Sequence, residues 1–236
     1  MSPIVSVIIP WRQRNGDLFR QMNLKYVEDF WIRKHGIVPR RVSDGREGSA
    51  QFNRSAAYNH GVRISPVANV FVFAEADMLI EPMQLSKAVL LAAEQPGLVV
   101  PFDEYRYLSE ANSEMVRSAG LSPVEVKARW TMDNGRSIGA VNVVSRATMD
   151  LVGQWDESFE GNSYDDDAMK IAFEKAAGRT RWVEGPAHHL YHLPGWRGKH
   201  LTPQDKRATE RNRQRRELYR EAQTPEQIRR LTMGER

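Results

Sequence analysis

Residues 69–80 read NVFVFAEADMLI, an apolar run of β-branched and aromatic residues that ends on two carboxylates, Glu75 and Asp77. A continuous run of this kind reads as a strand buried on both faces of a mainly parallel sheet. Alternation along an extended chain puts both carboxylates on one side, at the carboxyl edge of the sheet, where open α/β sheets bind ligands.

Working outward, residues 4–9 (IVSVII) are a second such strand, stopped by Pro10. A helix is predicted over residues 18–35 up to Gly36, with Leu18, Met22, Tyr26 and Phe30 as its apolar face. Residues 37–44 (IVPRRVSD) form a strand ending at Asp44 and Gly45. Residues 49–61 (SAQFNRSAAYNHG) form a helix opened by a serine cap and closed by glycine. Beyond the central run, a helix spans 83–94 and a strand LVVPF follows. Residues 103–137 are polar and irregular, as expected of a substrate loop or lid. Residues 138–145 (IGAVNVVS) resume a strand, RATMDLVGQW is a short helix, and DDDAMKIAFEKAAG is a helix closed by Gly178. A last strand, RWVEG, precedes HHLYHLPGW. The alternation of strands and helices specifies an α/β fold.

The chain has 236 residues, 41% of them hydrophobic, enough for one large α/β domain with an appendage. It contains no cysteine, which excludes disulfides and thiolate metal sites and suits a cytoplasmic setting. MSPIVSVIIPW lacks the basic start of a targeting segment, and no apolar stretch reaches the roughly 20 residues that span a bilayer. Residues 197–236 hold twelve Lys or Arg against six Asp or Glu, so the formal charge of +4 is concentrated there. Thr202-Pro203-Gln204-Asp205 and Thr224-Pro225-Glu226-Gln227 each fit a capping box with proline in the first turn, predicting two short charged helices. The expected organisation is a domain over 1–196 and a basic helical extension over 197–236.

Several groups in this framework carry chemistry. Glu75 and Asp77 suit a hard divalent cation that bridges phosphate oxygens. Asp165, Asp166 and Asp167 begin a helix, where the macrodipole favours negative charge. Three adjoining carboxylates repel one another, which raises at least one pKa and makes a general base. His188, His189 and His192 cluster after a predicted strand, and imidazole is the available nitrogen ligand in a chain without cysteine. Arg12, Arg14 and Arg54 have forks that match diphosphate oxygens, Phe52 can stack on a base, and Asp44 can accept from a uracil imide or begin a turn.

The ordered set VSVIIPWRQR, QFNRSAAYNHG, VFVFAEADMLI, SIGAVNVVSRATMDLVGQWDESFEGNSYDDDAMKIAF and HHLYHLP resembles the β-1,4-galactosyltransferase and chondroitin-polymerase branch of the GT-A glycosyltransferases, over about residues 4–194. The resemblance implies a nucleotide-diphospho-sugar transferase fold and a UDP-sugar donor, held by Arg12, Arg14, Phe52 and Arg54, with Pro10, Asp44 and Gly139 completing the donor side. It implies Mn²⁺ or Mg²⁺ on Asp77, with His192 or His189 as imidazole ligand and Glu75 near the ribose or metal. It also implies Asp165 as catalytic base, Asp166 as the adjacent candidate, and inversion at the anomeric carbon.

Two departures matter. The family's Asp-x-Asp is Glu75-Ala76-Asp77 here, and its Trp-Gly-rich segment is replaced by Glu160-Gly161-Asn162-Ser163-Tyr164, so the sugar is not inherited. The acceptor is a glycan, a protein, a lipid-linked sugar or a modified DNA base, and Tyr105, Tyr107, Trp130 and Asp133 either line its site or form a capping core. Competing readings are a nucleic-acid-binding protein acting through RATERNRQRRELYR, whose arginines alternate with glutamates, and an inactive sugar-nucleotide-binding homologue. A nucleotidyltransferase would call for an early glycine-rich phosphate loop with lysine, which WRQRNGDLF is not.

Overall fold

The computed structural model describes residues 2–13, 18–48, 50–132, 138–161, 163–193 and 201–235. Its strands are β1 (Val5–Pro10), β2 (Arg40–Val42), β3 (Val70–Ala74), β4 (Met78–Ile80), β5 (Val99–Val100), β6 (Glu104–Tyr107), β7 (Trp130–Met132), β8 (Val141–Ser145), β9 (Arg181–Trp182) and β10 (Pro186–His189). Its helices are α1 (Leu18–Phe30), α2 (Arg54–Arg63), α3 (Pro82–Glu94), α4 (Glu110–Ser118), α5 (Arg146–Val152), α6 (Asp165–Ala177), α7 (Pro203–Glu221) and α8 (Pro225–Thr232).

Six strands form the main sheet in the order β2-β1-β3-β8-β5-β9. β8 runs antiparallel to both neighbours and the other pairings are parallel, so the sheet is mainly parallel. Every residue of β3 and β8 is buried; β3 is apolar throughout, and the two polar residues of β8 are satisfied inside, Asn142 Nδ2 donating to Ile138 O at 2.8 Å and Ser145 Oγ lying 2.9 Å from Thr148 Oγ1. The fold is therefore α/β, a central sheet flanked by helices.

The run 69–80 does not continue as one strand. Ala74 pairs with Val141, the first residue of β8, and one more backbone bond follows, Glu75 N donating to Ala140 O at 2.9 Å, before the pairing stops. The chain turns through Ala76 and Asp77, with Met78 N donating to Glu75 O at 3.3 Å, and enters a second sheet ordered β4-β10-β6-β7. Glu75 and Asp77 thus flank a turn between two sheets, not one side of an extended strand.

Residues 103–132 are regular where a loop was expected: β6 and β7 form half of the second sheet, with α4 between them. Their polar and aromatic sequences EYRY and WTM hide the strand because the sheet borders a cavity on one face. In α1 the buried residues are Asn23, Leu24, Val27 and Phe30, while Leu18 and Met22 are exposed. Residues spaced strictly by four drift about 40° per step around a helix, about 120° over the four, so the line slides off the core: Phe30 is buried at one end and Leu18 exposed at the other. The cap of α2 is Asn53, whose side chain accepts from Ala56 N at 2.8 Å. Gly61 lies inside that helix, where its missing Cβ lets the backbone approach Ile8 of β1; Ser49 lies outside the described residues. Both predicted capping boxes form, at Thr202 and Thr224. α7 is longer than expected, at 19 residues, and with α8 packs on α5 and α6, burying Ala208, Tyr219 and Ile228.

Candidate active site at the junction of the two sheets

A cavity of about 700 Å³ opens where the two sheets meet. Pro10, Arg12, Phe52, Arg54, Glu75, Asp77, Gly139, Asp165, Asp166, His189 and His192 all line it, drawn from segments far apart in the chain. Asp44 does not. Its carboxylate is fully buried, paired with Arg12 Nη1 at 3.5 Å and accepting from Asn53 N at 2.9 Å, so it ties Arg12 to the start of α2 behind the cavity wall. Arg14 and Asp133 lie outside the described residues.

Asp77 is placed by the inter-sheet turn, its carbonyl accepting from Leu190 N at 2.8 Å. His189 ends β10, and His192 follows on a segment held from two sides. Asn23 Nδ2 of α1 donates to Tyr191 O at 3.0 Å, and Tyr191 N donates to Ser113 Oγ of α4 at 2.8 Å. His192 Nε2 then stands 3.2 Å from Asp77 Oδ2, and His189 Nε2 3.9 Å from Asp77 Oδ1. One ligand atom from each of the three residues lies within 4.8 Å of the others.

The electrostatics of this trio fit a cation. Burial, with lesser contributions from His192 and Arg20, depresses His189 to about 4 despite the attraction of Asp77, which leaves a neutral imidazole with a lone pair. Burial alone would raise Asp77, but His189 and His192 when protonated, and Arg20 always, hold it below its ordinary value, so it stays a carboxylate. His192 Nδ1 lies 2.7 Å from Leu193 O and 3.1 Å from Arg20 Nη2; the tautomer with its proton on Nδ1 donates to Leu193 O and turns the Nε2 lone pair toward Asp77, and the other accepts from Arg20 and donates to Asp77. Asp77 Oδ1 is buried with no hydrogen-bond partner among the described residues. Converging lone pairs and an unsatisfied anionic oxygen are what a divalent ion would complete. His188, by contrast, points to the other face of β10 beside Glu104 and Arg106, where burial depresses it to about 4. Two of the three clustered histidines therefore reach the site.

The third carboxylate group enters from the start of α6. Arg54, the first residue of α2, bridges the two acidic segments. Its Nη2 donates to Asp165 Oδ2 and to Asp166 Oδ1, each at 2.5 Å, and its Nη1 pairs with Glu75. The guanidinium is thus committed to three carboxylates in this structure, where the resemblance gave it to a diphosphate. Burial and the neighbouring Asp165 and Asp167 charges raise Asp166 to about 6, with Arg54 opposing. A carboxylate of that pKa is ionised at neutral pH yet basic enough to accept a proton.

Tyr105, Tyr107 and Trp130 line the opposite wall. Tyr107 stacks on Trp130 with centroids 4.7 Å apart, and Tyr105 lies 4.5 Å from Tyr107. Trp130 is 53% exposed, so one face of the stack is open. Arg20 and Arg129 also line the cavity and were not read from the sequence. Nothing local marks them: Arg20 sits in the first turn of α1 and reaches His192 Nδ1 at 3.1 Å only because α1 packs beside that segment.

A mainly parallel sheet joined at its acidic edge to a smaller sheet, with this cavity between them, defines the GT-A fold of nucleotide-diphospho-sugar transferases. No protein-family model matches the sequence, and no curated protein matches it either. Among solved structures, a mutant Drosophila β1,4-galactosyltransferase 7 in complex with manganese, UDP-Gal and xylobiose superposes with a TM-score of 0.50 at 13% identity, covering 86% of this chain and 78% of that one. GalNAc-T7 with UDP, GalNAc and Mn²⁺ superposes with a TM-score of 0.53 at 13% identity, covering 92% of this chain and 49% of that one. At such identities the likeness is one of fold. Among the described residues, no helix is long and apolar enough to cross a membrane.

Proposed function

We propose that this protein is a metal-dependent glycosyltransferase that moves a sugar from a UDP-sugar donor to an acceptor hydroxyl with inversion. The observation that carries this reading is the meeting of Asp77, His189 and His192 in the same cavity as Asp165 and Asp166. The two solved structures described above are complexes with a uridine nucleotide and manganese.

Asp77, His189 and His192 would hold Mn²⁺ or Mg²⁺, which supplies Lewis-acid stabilisation of the negative charge on a departing diphosphate. Arg12 leans over the Phe52 ring at 5.6 Å, giving the donor side a cation and an aromatic face for nucleotide binding. The acceptor oxygen attacks the anomeric carbon as the bond from that carbon to the diphosphate breaks, and its proton passes to Asp165 or to Asp166 beside it. One displacement inverts the centre and needs no covalent enzyme intermediate. The open face of Trp130, backed by Tyr107, suits an acceptor with a flat apolar face, a sugar ring or a base.

The nucleic-acid reading of the tail is weakened by pairing along α7. Arg211, Arg213, Arg215, Arg216 and Arg220 each face a carboxylate of the chain itself.

Calorimetric titration with UDP, with and without Mn²⁺, on wild type and Asp77→Ala tests the donor half. Binding that requires both metal and Asp77 is expected, followed by turnover in a screen of UDP-sugars and acceptors. Wild-type protein that fails to bind UDP with Mn²⁺ present would overturn the reading.

A further inference from the structure

The segment that delivers Asp165 and Asp166 to the cavity is not shaped by its own sequence. Ser163 and Tyr164 both take positive φ, at 77° and 68°, without being glycines, and Tyr164 leads directly into α6. Such a backbone persists only where surrounding contacts over-determine it. The contacts come from α7. Asn212, 3% exposed, donates through Nδ2 to Ser163 O at 3.1 Å and to Glu160 O at 2.9 Å, while its Oδ1 accepts from Glu160 N at 3.4 Å. One turn further along α7, the Arg216 guanidinium lies 4.6 Å from the Tyr164 ring centroid, and its Nη1 donates to Asp167 Oδ2 at 3.2 Å.

The same helix reaches the donor side. Near its start, Asp205 Oδ1 accepts from Gln51 Nε2 at 3.0 Å, and the next residue, Phe52, lines the cavity and accepts from Gly161 N at 2.8 Å. α7 therefore ties the segment that precedes the paired aspartates to the segment that carries Phe52.

We propose that Asn212 and Arg216 are positioning residues for the proton-accepting pair, holding the Glu160–Tyr164 segment so that Asp165 and Asp166 meet the Arg54 fork. This rests on the reading of those two aspartates given above, and it makes the C-terminal helix a working part of the site. Asn212 acts through backbone carbonyls on both sides of the segment, and Arg216 through the Tyr164 ring and Asp167.

The test uses Asn212→Leu and Arg216→Lys in the full chain, neither of which changes net charge at the site. Carboxyl-carbon magnetic resonance follows the titration of Asp166, and calorimetry follows Mn²⁺·UDP affinity. Release of the segment opens the helix start to water, which lowers the Asp166 midpoint, and loosens its contact with Arg54, which raises it; a shift of at least half a pH unit is expected in Asn212→Leu, and in the same direction in Arg216→Lys. Mn²⁺·UDP affinity is expected to stay within twofold of wild type. Midpoints unchanged in both folded variants overturn the proposal, and so does a loss of UDP affinity as large as that in Asp77→Ala, which would make α7 a general support. If Asn212→Leu does not fold, Arg216→Lys decides. Wild-type protein that binds no UDP defeats the proposed function, while the titration still decides the positioning role.

Discussion

His192 Nε2 lies 3.2 Å from Oδ2 of Asp77 at the joint between two sheets. With a proton on Nε2 the ring donates to the carboxylate; with the proton on Nδ1 instead, the Nε2 lone pair and the carboxylate converge on one point, and a cation there binds both.

Metal binding is accordingly expected to stabilise the fold. At a Mn²⁺ concentration about 100 times the dissociation constant, linkage gives about 2.7 kcal/mol. Thermal unfolding with Mn²⁺ and with chelator measures it. The shift is expected to vanish in Asp77→Ala; an equal shift in that variant would place the ion elsewhere.

The two candidate bases separate by substitution. Asp165→Asn and Asp166→Asn are each expected to retain Mn²⁺·UDP binding, and the one that takes the proton is expected to lose about 10²–10⁴ in turnover. Steady-state rates on the donor and acceptor found by screening provide the check. Normal turnover in both variants removes the pair from the mechanism.

Arg54 is the structural counterion of three carboxylates. Arg54→Met leaves Glu75, Asp165 and Asp166 facing one another partly out of water, so a destabilisation of about 3–5 kcal/mol is expected. Urea unfolding at neutral pH measures this, with a smaller loss expected at pH 4, where protonation relieves the repulsion. A loss that does not shrink at low pH contradicts the assignment.

Acid is expected to weaken the fold through His188. It is 1% exposed, and burial first, then Arg106, depresses it from 6.5 to about 4 against Glu104. Between those values the unfolded chain binds more protons than the folded one. The stability contributed above pH 6.5 is thus lost progressively as pH falls toward 4, by an amount on the order of 1–3 kcal/mol. Denaturant unfolding from pH 7.5 to 5 follows it, and His188→Gln is expected to flatten the slope. An unchanged slope would assign the acid sensitivity to other groups.

Gly61→Ala is expected to cost about 1–3 kcal/mol, because the new methyl overlaps the Ile8 side chain. The double variant with Ile8→Ala tests the cause: the penalty of Gly61→Ala measured in that background should largely disappear. A penalty of the same size there would point to backbone strain.

Much of this protein is legible along the chain. The apolar runs at 4–9, interrupted only by Ser6, and at 70–74 define central strands, because burial on both faces accommodates them. Thr202 and Thr224 announce their helices by local hydrogen bonds that span three residues. The chemical types at the site, carboxylates at 75, 77 and 165–167 and imidazoles after 187, are also plain to read. Their meeting is another matter. Whether Asp77 continues a strand or turns into a second sheet depends on where the pairing with β8 stops, and whether His189 or His188 faces the cavity depends on how β10 pairs with β4 and β6. The Arg54 bridge needs α2 and α6 to converge, and the grip of Asn212 on Ser163 joins residues 49 positions apart. Propensity, capping and periodicity act over one or two turns of chain, so they set elements and residue types; contacts between distant elements arise only when the whole core packs, and it is those contacts that make the site.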